Sequence, residues 1–270
     1  MPVPLAAPHT PALPPLVAVA HGSRDPRAAA VVADLMALVQ ARGQRSGLTG
    51  LQARAAFLGH ALPSVPDVIE SLPASGDRSV VVLPLLLTEA YHSDTDLPAV
   101  LHDALCSQRH GRRPWLRISY GRPLGPHPGL LHALDRRLAE AGMPAPAADT
   151  AVVLAAAGSS RPAANAAVTR VAAAWQAARG WRAVVPAYAS AASPTPGEAV
   201  AALRRGGSAR VAVATYLLAP GVFAGQIRDQ SLAAGATAVS AVLGAAPEVA
   251  DVVVERYLEA ASSAELVQAS

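Results

Sequence analysis

The segment "LVAVAHGSRDPRAAA", residues 16–30, carries the local pattern from which the fold can be inferred. It begins inside a short apolar run, "PLVAVA" at 15–20, which is typical of a buried strand in a parallel sheet. Asp25 and Pro26 then supply an N-cap and a proline at the first helical position, which predicts a helix to about residue 41. A strand that only turned into a helix would not need an imidazole, that of His21, at its end. The stretch therefore predicts a strand, a polar turn and a helix.

The alternation of strand and helix continues along the chain. Apolar runs predict further strands at 51–59, 79–87 and 115–121, and amphipathic segments predict helices at 64–72, 96–109 and 128–142. Strands that alternate with helices indicate a parallel sheet with helices on its faces.

The same order begins again in the second part of the chain. "VAVAHGSRDPRAAA" at 17–30 aligns with "VLAAAGSSRPAANAA" at 153–167. Three later segments repeat in the same order: Phe57, Pro63 and Asp67 align with Tyr188, Pro194 and Glu198, 82–92 aligns with 213–223, and 123–128 aligns with 242–247. We therefore predict an α/β protein with two homologous, doubly wound open-sheet domains in tandem and a cleft between them. The predicted units are a Pro-rich tail at 1–14, an N-terminal domain at 15–142 that carries a metal site, and a degenerate C-terminal repeat at 150–262.

The two halves differ where chemistry is expected. The second half keeps the glycine, serine and proline of the turn and loses the histidines: His21, Arg24, Glu89, His92 and His127 are replaced by Ala157, Ser160, Pro220, Phe223 and Ala246. If the histidines only supported the fold, the second half would need them equally. Their loss favours a functional role.

Ligands of open parallel sheets bind beyond the carboxyl ends of the strands, and the ends of the first and third strands can be neighbours there. His21 and His92 then meet as candidate ligands for a transition metal such as Fe, Co, Ni or Zn. Glu89 is a candidate proton acceptor or third ligand, with an exposed loop carboxylate as the alternative. Ser23 and Arg24 are candidate binders of an anionic substrate.

The other histidines carry weaker signals. His127 follows the fourth strand and could border the cleft, although a turn residue is the simpler interpretation. His60, His102, His110 and His132 match no pattern and are interpreted as surface or helix residues.

Composition excludes several classes of protein. Apolar residues make up 52% of the chain, but no apolar run is long enough for a membrane span. The single cysteine, Cys106, excludes an internal disulfide, and the Pro-rich start lacks the features of a secretory signal, so we expect a cytoplasmic protein. All 22 basic residues are scattered arginines and only 4% of residues are aromatic, so no nucleic-acid surface is expected. The net charge of +3 suits a small polyanionic ligand.

The segments "AHGSRDP", "FLGHALPSVPDVI" and "VVLPLLLTEAYHSDTDLP" resemble the sirohydrochlorin chelatase family, the cobaltochelatases and ferrochelatases of the class II chelatases, in their long, internally duplicated form. The resemblance covers residues 16 to about 260. It implies insertion of Fe²⁺ or Co²⁺, a substrate rather than a resident cofactor, into a polycarboxylate tetrapyrrole without an organic cofactor, in sirohaem or cobalamin biosynthesis. It also implies that His21 and His92 are the metal ligands. Gly59 departs from the acidic residue expected at this position in many relatives, so the resemblance does not extend to a secondary metal or proton-relay role there.

Several alternatives stay open at this point. A non-catalytic protein that captures a metal or a tetrapyrrole between two lobes would carry the same residues. A nucleotide-binding enzyme is disfavoured because the turn lacks both common phosphate-binding glycine motifs. The sequence does not distinguish iron from cobalt or nickel, does not say which histidine accepts a proton, and allows a monomer or a small homo-oligomer.

Overall fold

The structure is a computed structural model, and it describes residues 13–72, 79–88, 116–144, 146, 149–262 and 266–267. The strands are β1 (Leu16–Ala20), β2 (Ala53–Phe57), β3 (Ser79–Pro84), β4 (Arg117–Tyr120), β5 (Thr150–Ala156), β6 (Ala183–Tyr188), β7 (Arg210–Thr215), β8 (Ala238–Val239) and β9 (Leu266–Val267). The helices of this part of the chain are α1 (Pro26–Arg45), α2 (Val65–Glu70), α3 (Pro128–Glu140), α4 (Pro162–Arg179), α5 (Pro196–Arg205), α6 (Val222–Ala233) and α7 (Pro247–Ser262). The predicted helix at 96–109 lies outside the described residues.

Two parallel sheets of the same strand order form the fold, which confirms the predicted fold class. The first sheet has the order β2-β1-β3-β4, and the second has the order β6-β5-β7-β8. The first strand of each half, "LVAVA" of β1 and "TAVVLAA" of β5, is buried along its whole length, because helices cover both faces of its sheet. A short strand that the sequence did not predict, β9, adds to the first sheet antiparallel to β4.

Equivalent helices begin in the same way in the two halves. Ser64 and Thr195 cap α2 and α5, and each forms a reciprocal capping box with an acid three residues later, Asp67 or Glu198. Asp25 caps α1 by accepting a hydrogen bond from the backbone N–H of Arg27 at 3.0 Å. The predicted cap and proline at the start of α1 are thereby confirmed.

The two sheets share one layer of helices. One continuous core joins a face of each sheet to the apolar sides of α1, α3, α4 and α7. The outer face of the first sheet packs against α2, and that of the second sheet packs against α5 and α6. The parallel strands of both sheets are therefore buried on both faces.

The last helix of each half packs on the other half. α7 contacts α1, β3 and β4 of the first half, whereas α3 contacts β7 of the second half. In α3, Asp135 accepts hydrogen bonds from Trp175 Nε1 at 2.9 Å and Arg179 Nε at 2.7 Å, both in α4. This exchange of helices fixes the relation of the two sheets and places their carboxyl ends around one cleft.

Candidate functional site at the cleft between the two sheets

A cleft of about 560 Å³ lies at the carboxyl ends of the central strands. One wall is made by the turn after β1 (Ala20–Asp25), the turn after β2 and the segment after β3. The opposite wall is made by residues 217–224, which follow β7 in the second half. The cleft therefore lies where the strand order of each sheet reverses, the place at which open α/β sheets bind their ligands.

His21 lies in this cleft at the end of β1. Its side chain is exposed, and its carbonyl oxygen accepts a hydrogen bond from the N–H of Gly59 at 3.1 Å. An imidazole at this position can bind a transition metal or accept a proton near neutral pH. The prediction that His21 lies at a strand end on the rim of a cleft agrees with this geometry.

The turn that follows His21 is the same in both halves, although its surroundings differ. Ser23 Oγ accepts the N–H of Asp25 at 3.1 Å, as Ser159 Oγ accepts the N–H of Arg161 in the second half. In the second half, the side chain of Asn165 also bonds the N–H and the carbonyl of Ser159. The first half has Ala29 at the position of Asn165 and so lacks an amide that could bond this turn from within the chain.

Arg24 gives the turn of the first half its charge. Its side chain is exposed and lines the cleft, where the second half has a serine. The turn of the first half thus combines a guanidinium with backbone N–H groups at the start of α1, which suits a carboxylate ligand. The neighbouring carboxylate of Asp25 caps the helix by accepting the backbone N–H of Arg27, and it also pairs with the side chain of Arg27, at 2.6 Å from Nη2.

The segment after β3 reaches the same rim. β3 pairs directly with β1, with Val19 opposite Pro84, and the N–H of Leu85 donates to the carbonyl of Val19 at 2.7 Å. The carboxyl ends of the first and third strands are therefore neighbours, as predicted. Glu89 and His92 lie outside the described residues, which end here at Thr88, so the meeting of His92 with His21 stays a prediction.

Tyr216 of the second half fixes the described end of that segment. Its hydroxyl donates to the carbonyl of Leu87 at 2.9 Å, and the N–H of Gly125 donates to the carbonyl of Leu86 at 3.1 Å. The Tyr216 side chain is buried, which raises the pKa of its hydroxyl and keeps it a proton donor in this bond.

The wall of the second half is apolar. Val222 and Phe223 at the start of α6 expose 76% and 41% of their surface, and both line the cleft. Gly221 brings this wall close to the first half, since a Cβ there would lie 3.4 Å from Ser23 Oγ. Pro220 and Phe223 stand at the positions of Glu89 and His92 in the sequence alignment of the two halves. The second half therefore contributes apolar contact area from sequence positions at which the first half has titratable residues.

His60 is a cleft residue that sequence reasoning missed. It lies in the turn after β2, is exposed, and lines the same cleft as His21. Its φ of 59° is left-handed, as is that of Ala191 at the equivalent turn, φ 58°. The sequence did contain a signal for His60, because the second half has Ala191 at its position, just as it has Ala157 at the position of His21.

His127 lies at the start of α3 and is not among the residues that line the cleft, which agrees with the simpler of its two interpretations. It is the N-cap of α3, where Nδ1 accepts the N–H of Gly129 at 3.1 Å and Nε2 lies 3.1 Å from Glu255 Oε2 in α7. Burial lowers its pKa, which outweighs the opposite effect of Glu255. It lines a separate cavity of about 250 Å³ beside Arg170 and Val171 of α4.

The remaining predictions about histidines have simple outcomes. His132 lies on α3, with Nδ1 3.1 Å from Arg179 Nη2, as expected for a helix residue. His102 and His110 are outside the described residues. Within the described ranges, no group of three or more His, Cys, Asp or Glu side chains could hold a metal ion. Among the helices that the structure describes, none is long and apolar enough to cross a membrane.

Comparisons with known proteins agree with this architecture. The chain matches the CbiX family over residues 15–141 and 151–260. It is 29% identical to a sirohydrochlorin cobaltochelatase of Priestia megaterium over 213 residues, which cover 78% of this chain and 66%, just under two thirds, of that relative. It is 28% identical to a sirohydrochlorin ferrochelatase of Bacillus subtilis over 251 residues, 92% of each chain.

Solved structures show the same two-domain arrangement. SirB from Bacillus subtilis with Fe³⁺ matches with a TM-score of 0.76 at 25% identity, over 93% of this chain and 96% of that chain. The CbiX from denitrifying bacteria matches in fold with a TM-score of 0.62 at 23% identity, over 92% of this chain and 99% of that chain. Since the family match extends through both halves, the chain belongs to the CbiX, or sirohydrochlorin chelatase, family in its two-domain form.

Proposed function

We propose that this protein is a sirohydrochlorin chelatase, which inserts a divalent metal ion, Fe²⁺ or Co²⁺, into the tetrapyrrole in sirohaem or cobalamin biosynthesis. The two unlike walls of the cleft carry this proposal. One wall bears His21 and Arg24, and the other presents the exposed apolar side chains of Val222 and Phe223. A flat macrocycle with carboxylates on its rim needs both kinds of surface, and membership of the CbiX family supports the same substrate class.

Metal insertion exchanges one M²⁺ for two protons on the pyrrole nitrogens and involves no oxidation or reduction. The ion has to leave its water ligands and pass to the pyrrole nitrogens, so a protein ligand must bind it reversibly. Neutral imidazoles do this and also accept protons near neutral pH. We assign His21 and His92 as the metal ligands and Glu89 as a proton acceptor or further ligand.

The turn after β1 would orient the substrate. Arg24 can bind a peripheral carboxylate with two parallel hydrogen bonds, and Ser23 can donate its hydroxyl proton, since its oxygen already accepts the N–H of Asp25. In the equivalent turn of the second half, the Asn165 side chain already bonds the N–H and the carbonyl of Ser159. A carboxylate site is therefore expected only in the turn of the first half. The apolar side chains of Val222 and Phe223 would contact a face of the macrocycle and exclude water from the metal.

The test is anaerobic incubation of the protein with sirohydrochlorin and either Fe²⁺ or Co²⁺, followed by the absorption spectrum of the tetrapyrrole. We expect metal insertion faster than in the protein-free reaction, and a large loss of rate in the double variant His21→Ala, His92→Ala. His132→Ala is the matched control, because it removes an imidazole on α3 that does not line the cleft.

Two results would contradict the proposal. Stoichiometric binding of tetrapyrrole with no rate above the protein-free reaction would identify a non-catalytic binding protein. An unchanged rate in the double variant would remove the assignment of the two histidines. The ratio of the two insertion rates, measured in one assay, would show which metal the protein prefers.

A further inference from the structure

A second imidazole faces the cleft beside His21. β1 and β2 are parallel neighbours, with Ala20 opposite Phe57. The pairing continues past both strands, because Leu58 N–H donates to the carbonyl of Ala20 at 3.0 Å and Gly59 N–H to that of His21 at 3.1 Å. His60 is the next residue. The two histidines therefore leave adjacent strands at the same edge of the sheet, and both line the cleft.

The backbone that carries the two imidazoles is tightly fixed. A Cβ on Gly22 would lie 1.7 Å from the carbonyl oxygen of Gly59, so the turns after β1 and β2 are in direct contact. The second half has the same contact, since a Cβ on Gly158 would lie 2.0 Å from the carbonyl oxygen of Ser190. His21 and His60 thus project from one rigid unit rather than from two independent loops.

The imidazole of His60 is not needed to build its turn. Ala191 takes the same left-handed conformation in the second half with only a methyl side chain. Both histidines of the rigid unit are alanine in the second half, Ala157 and Ala191. Neither the conformation of this turn nor its contact with the turn after β1 therefore requires an imidazole at position 60.

The ligand types in the cleft point to a metal ion. Of the described residues that line it, Asp25 is the only one with a carboxylate, and that carboxylate is bonded to Arg27. The described groups that suit Fe²⁺ or Co²⁺ are therefore the imidazoles of His21 and His60. Two imidazoles, or three with His92, leave coordination positions on the ion for water and for pyrrole nitrogens, and so allow the ion to be released.

We infer that His60 binds the divalent metal ion in the cleft together with His21. The inference rests on the proposed function, which makes such an ion a substrate. It requires nothing of His92, whose position is outside the described residues. His60 then acts before the tetrapyrrole arrives, by holding the ion at the edge of the sheet that Arg24 also occupies.

The experiment is a titration of the full chain with Co²⁺ in the absence of tetrapyrrole, followed by calorimetry and by the visible absorption of bound Co²⁺. We expect His60→Ala and His60→Gln to weaken Co²⁺ binding at least about tenfold, since even residues outside the ligand shell contribute that much to metal affinity. His21→Ala should have a similar effect. His132→Ala should bind Co²⁺ as the unchanged protein does.

A second measurement guards against a variant that fails to fold. Magnetic resonance spectra of the unchanged protein and of His60→Gln, both with isotope-labelled histidine, identify the His60 imidazole signal as the one that the variant lacks. In the unchanged protein, substoichiometric Co²⁺ should broaden this signal together with that of His21. Circular dichroism of both variants checks that they are folded.

The outcomes separate this inference from the proposed function. If the protein inserts metal but His60→Ala and His60→Gln bind Co²⁺ with unchanged affinity, the role of His60 is overturned and the proposed function stands. If both variants lose Co²⁺ binding while the unchanged protein does not accelerate insertion, His60 is a metal ligand in a protein that is not a chelatase. A His60 signal that stays sharp at saturating Co²⁺ overturns the inference.

Discussion

At the scale of single residues, Gly22 sets how closely the turn after β1 approaches the turn after β2. Its φ of 92° disfavours any other residue, and an added Cβ would overlap the carbonyl of Gly59. Gly22→Ala should therefore lower the free energy of unfolding and displace His21 from the cleft. The left-handed conformation alone costs about 1–3 kcal/mol, and the overlap adds to that.

Gly47→Ala is the matched control, measured by urea unfolding. Gly47 has a similar φ of 84° but nothing within 4 Å of an added Cβ, so it reports the cost of the conformation without the overlap. Only Gly22→Ala should also weaken Co²⁺ binding. Equal losses of stability in the two variants would show that the turns separate easily, contrary to the rigid unit described above.

Arg24 is expected to act on substrate binding. Arg24→Ser, which installs the residue of the second half, should raise KM for the tetrapyrrole about tenfold or more, because a hydrogen bond to a charged group contributes roughly 1.5–3 kcal/mol. The value of kcat should change little, since the peripheral carboxylates are bound equally in the ground state and the transition state. Arg45→Ser, at the far end of α1, should leave both constants unchanged. A fall in kcat at constant KM would argue against carboxylate binding.

The site residues differ in how far the sequence revealed them. His21 stood out because its whole turn repeats in the second half with alanine at that position. His60 is also replaced by alanine in the second half, but it was overlooked because its place in the cleft depends on the left-handed turn after β2, which no propensity of His or Ala predicts. Phe223 was identified only as the counterpart of His92. Its place in the cleft depends on how the second half sits on the first through the layer of helices that the two sheets share.

At the scale of elements, Tyr216 ties the end of β7 to the segment after β3. Tyr216→Phe should lower the free energy of unfolding by about 1 kcal/mol, the usual net contribution of one hydrogen bond. It should also weaken Co²⁺ binding, because Leu87 lies two residues before Glu89. Tyr188→Phe provides the matched control, since its hydroxyl donates to the carbonyl of Asn165 at 3.0 Å within the second half. Equal effects of both variants on Co²⁺ binding would remove the positioning role of Tyr216.

The start of α3 should depend on pH through His127. Its Nδ1 is an acceptor from Gly129, so protonation breaks the cap, and burial holds its pKa in the folded state below the usual 6.5. Because the pKa of His127 is lower in the folded state than in the unfolded chain, folding favours its neutral form. Its contribution to the stability of the folded state is complete above about pH 6.5. This contribution is lost as the pH falls from 6.5 to the folded-state pKa, and no further change follows below it.

His127→Asn keeps a cap acceptor and removes the titrating group. Urea unfolding at pH 7.5 and pH 5.5 should therefore show a smaller loss of stability at low pH in this variant than in the unchanged protein. The same loss in both proteins would mean that other groups cause the pH dependence.

Element boundaries were largely predictable, but the partners of α3 and α7 were not. The apolar periodicity of 128–142 identifies a helix and its buried side. It does not say which sheet that side contacts. Whether each closing helix packs on its own half or on the other depends on contacts between distant segments, such as the bond of Arg137 Nη2 to the carbonyl of Leu243 at 2.7 Å.

At the scale of the whole molecule, the exchange of α3 and α7 makes the two halves depend on one another. Arg136 on α3 forms a two-pronged ion pair with Glu248 on α7, and Arg42 on α1 pairs with Asp251 on α7 at 2.9 Å. The duplication read from the sequence implies two similar units, and it says nothing about this interlocking. The cleft exists only because the interlocked halves bring two sets of strand ends together.

This interlocking predicts how the protein behaves when it is divided after residue 146. Piece 1–146 alone lacks α7, whose Val249, Val252, Val253 and Tyr257 are buried in the shared core. A fully buried side chain of this kind contributes roughly 1.5–3 kcal/mol, so four of them approach the whole stability of a typical domain, about 5–15 kcal/mol. Each piece alone should therefore be unfolded or self-associated, whereas the two produced together should form a stable one-to-one complex that binds Co²⁺. Light scattering and urea unfolding provide the measurement. The contrary result is a monomeric piece 1–146 that unfolds cooperatively at the same urea concentration as the full chain. It would show that each half covers its own core, and that the second half is needed only for its wall of the cleft.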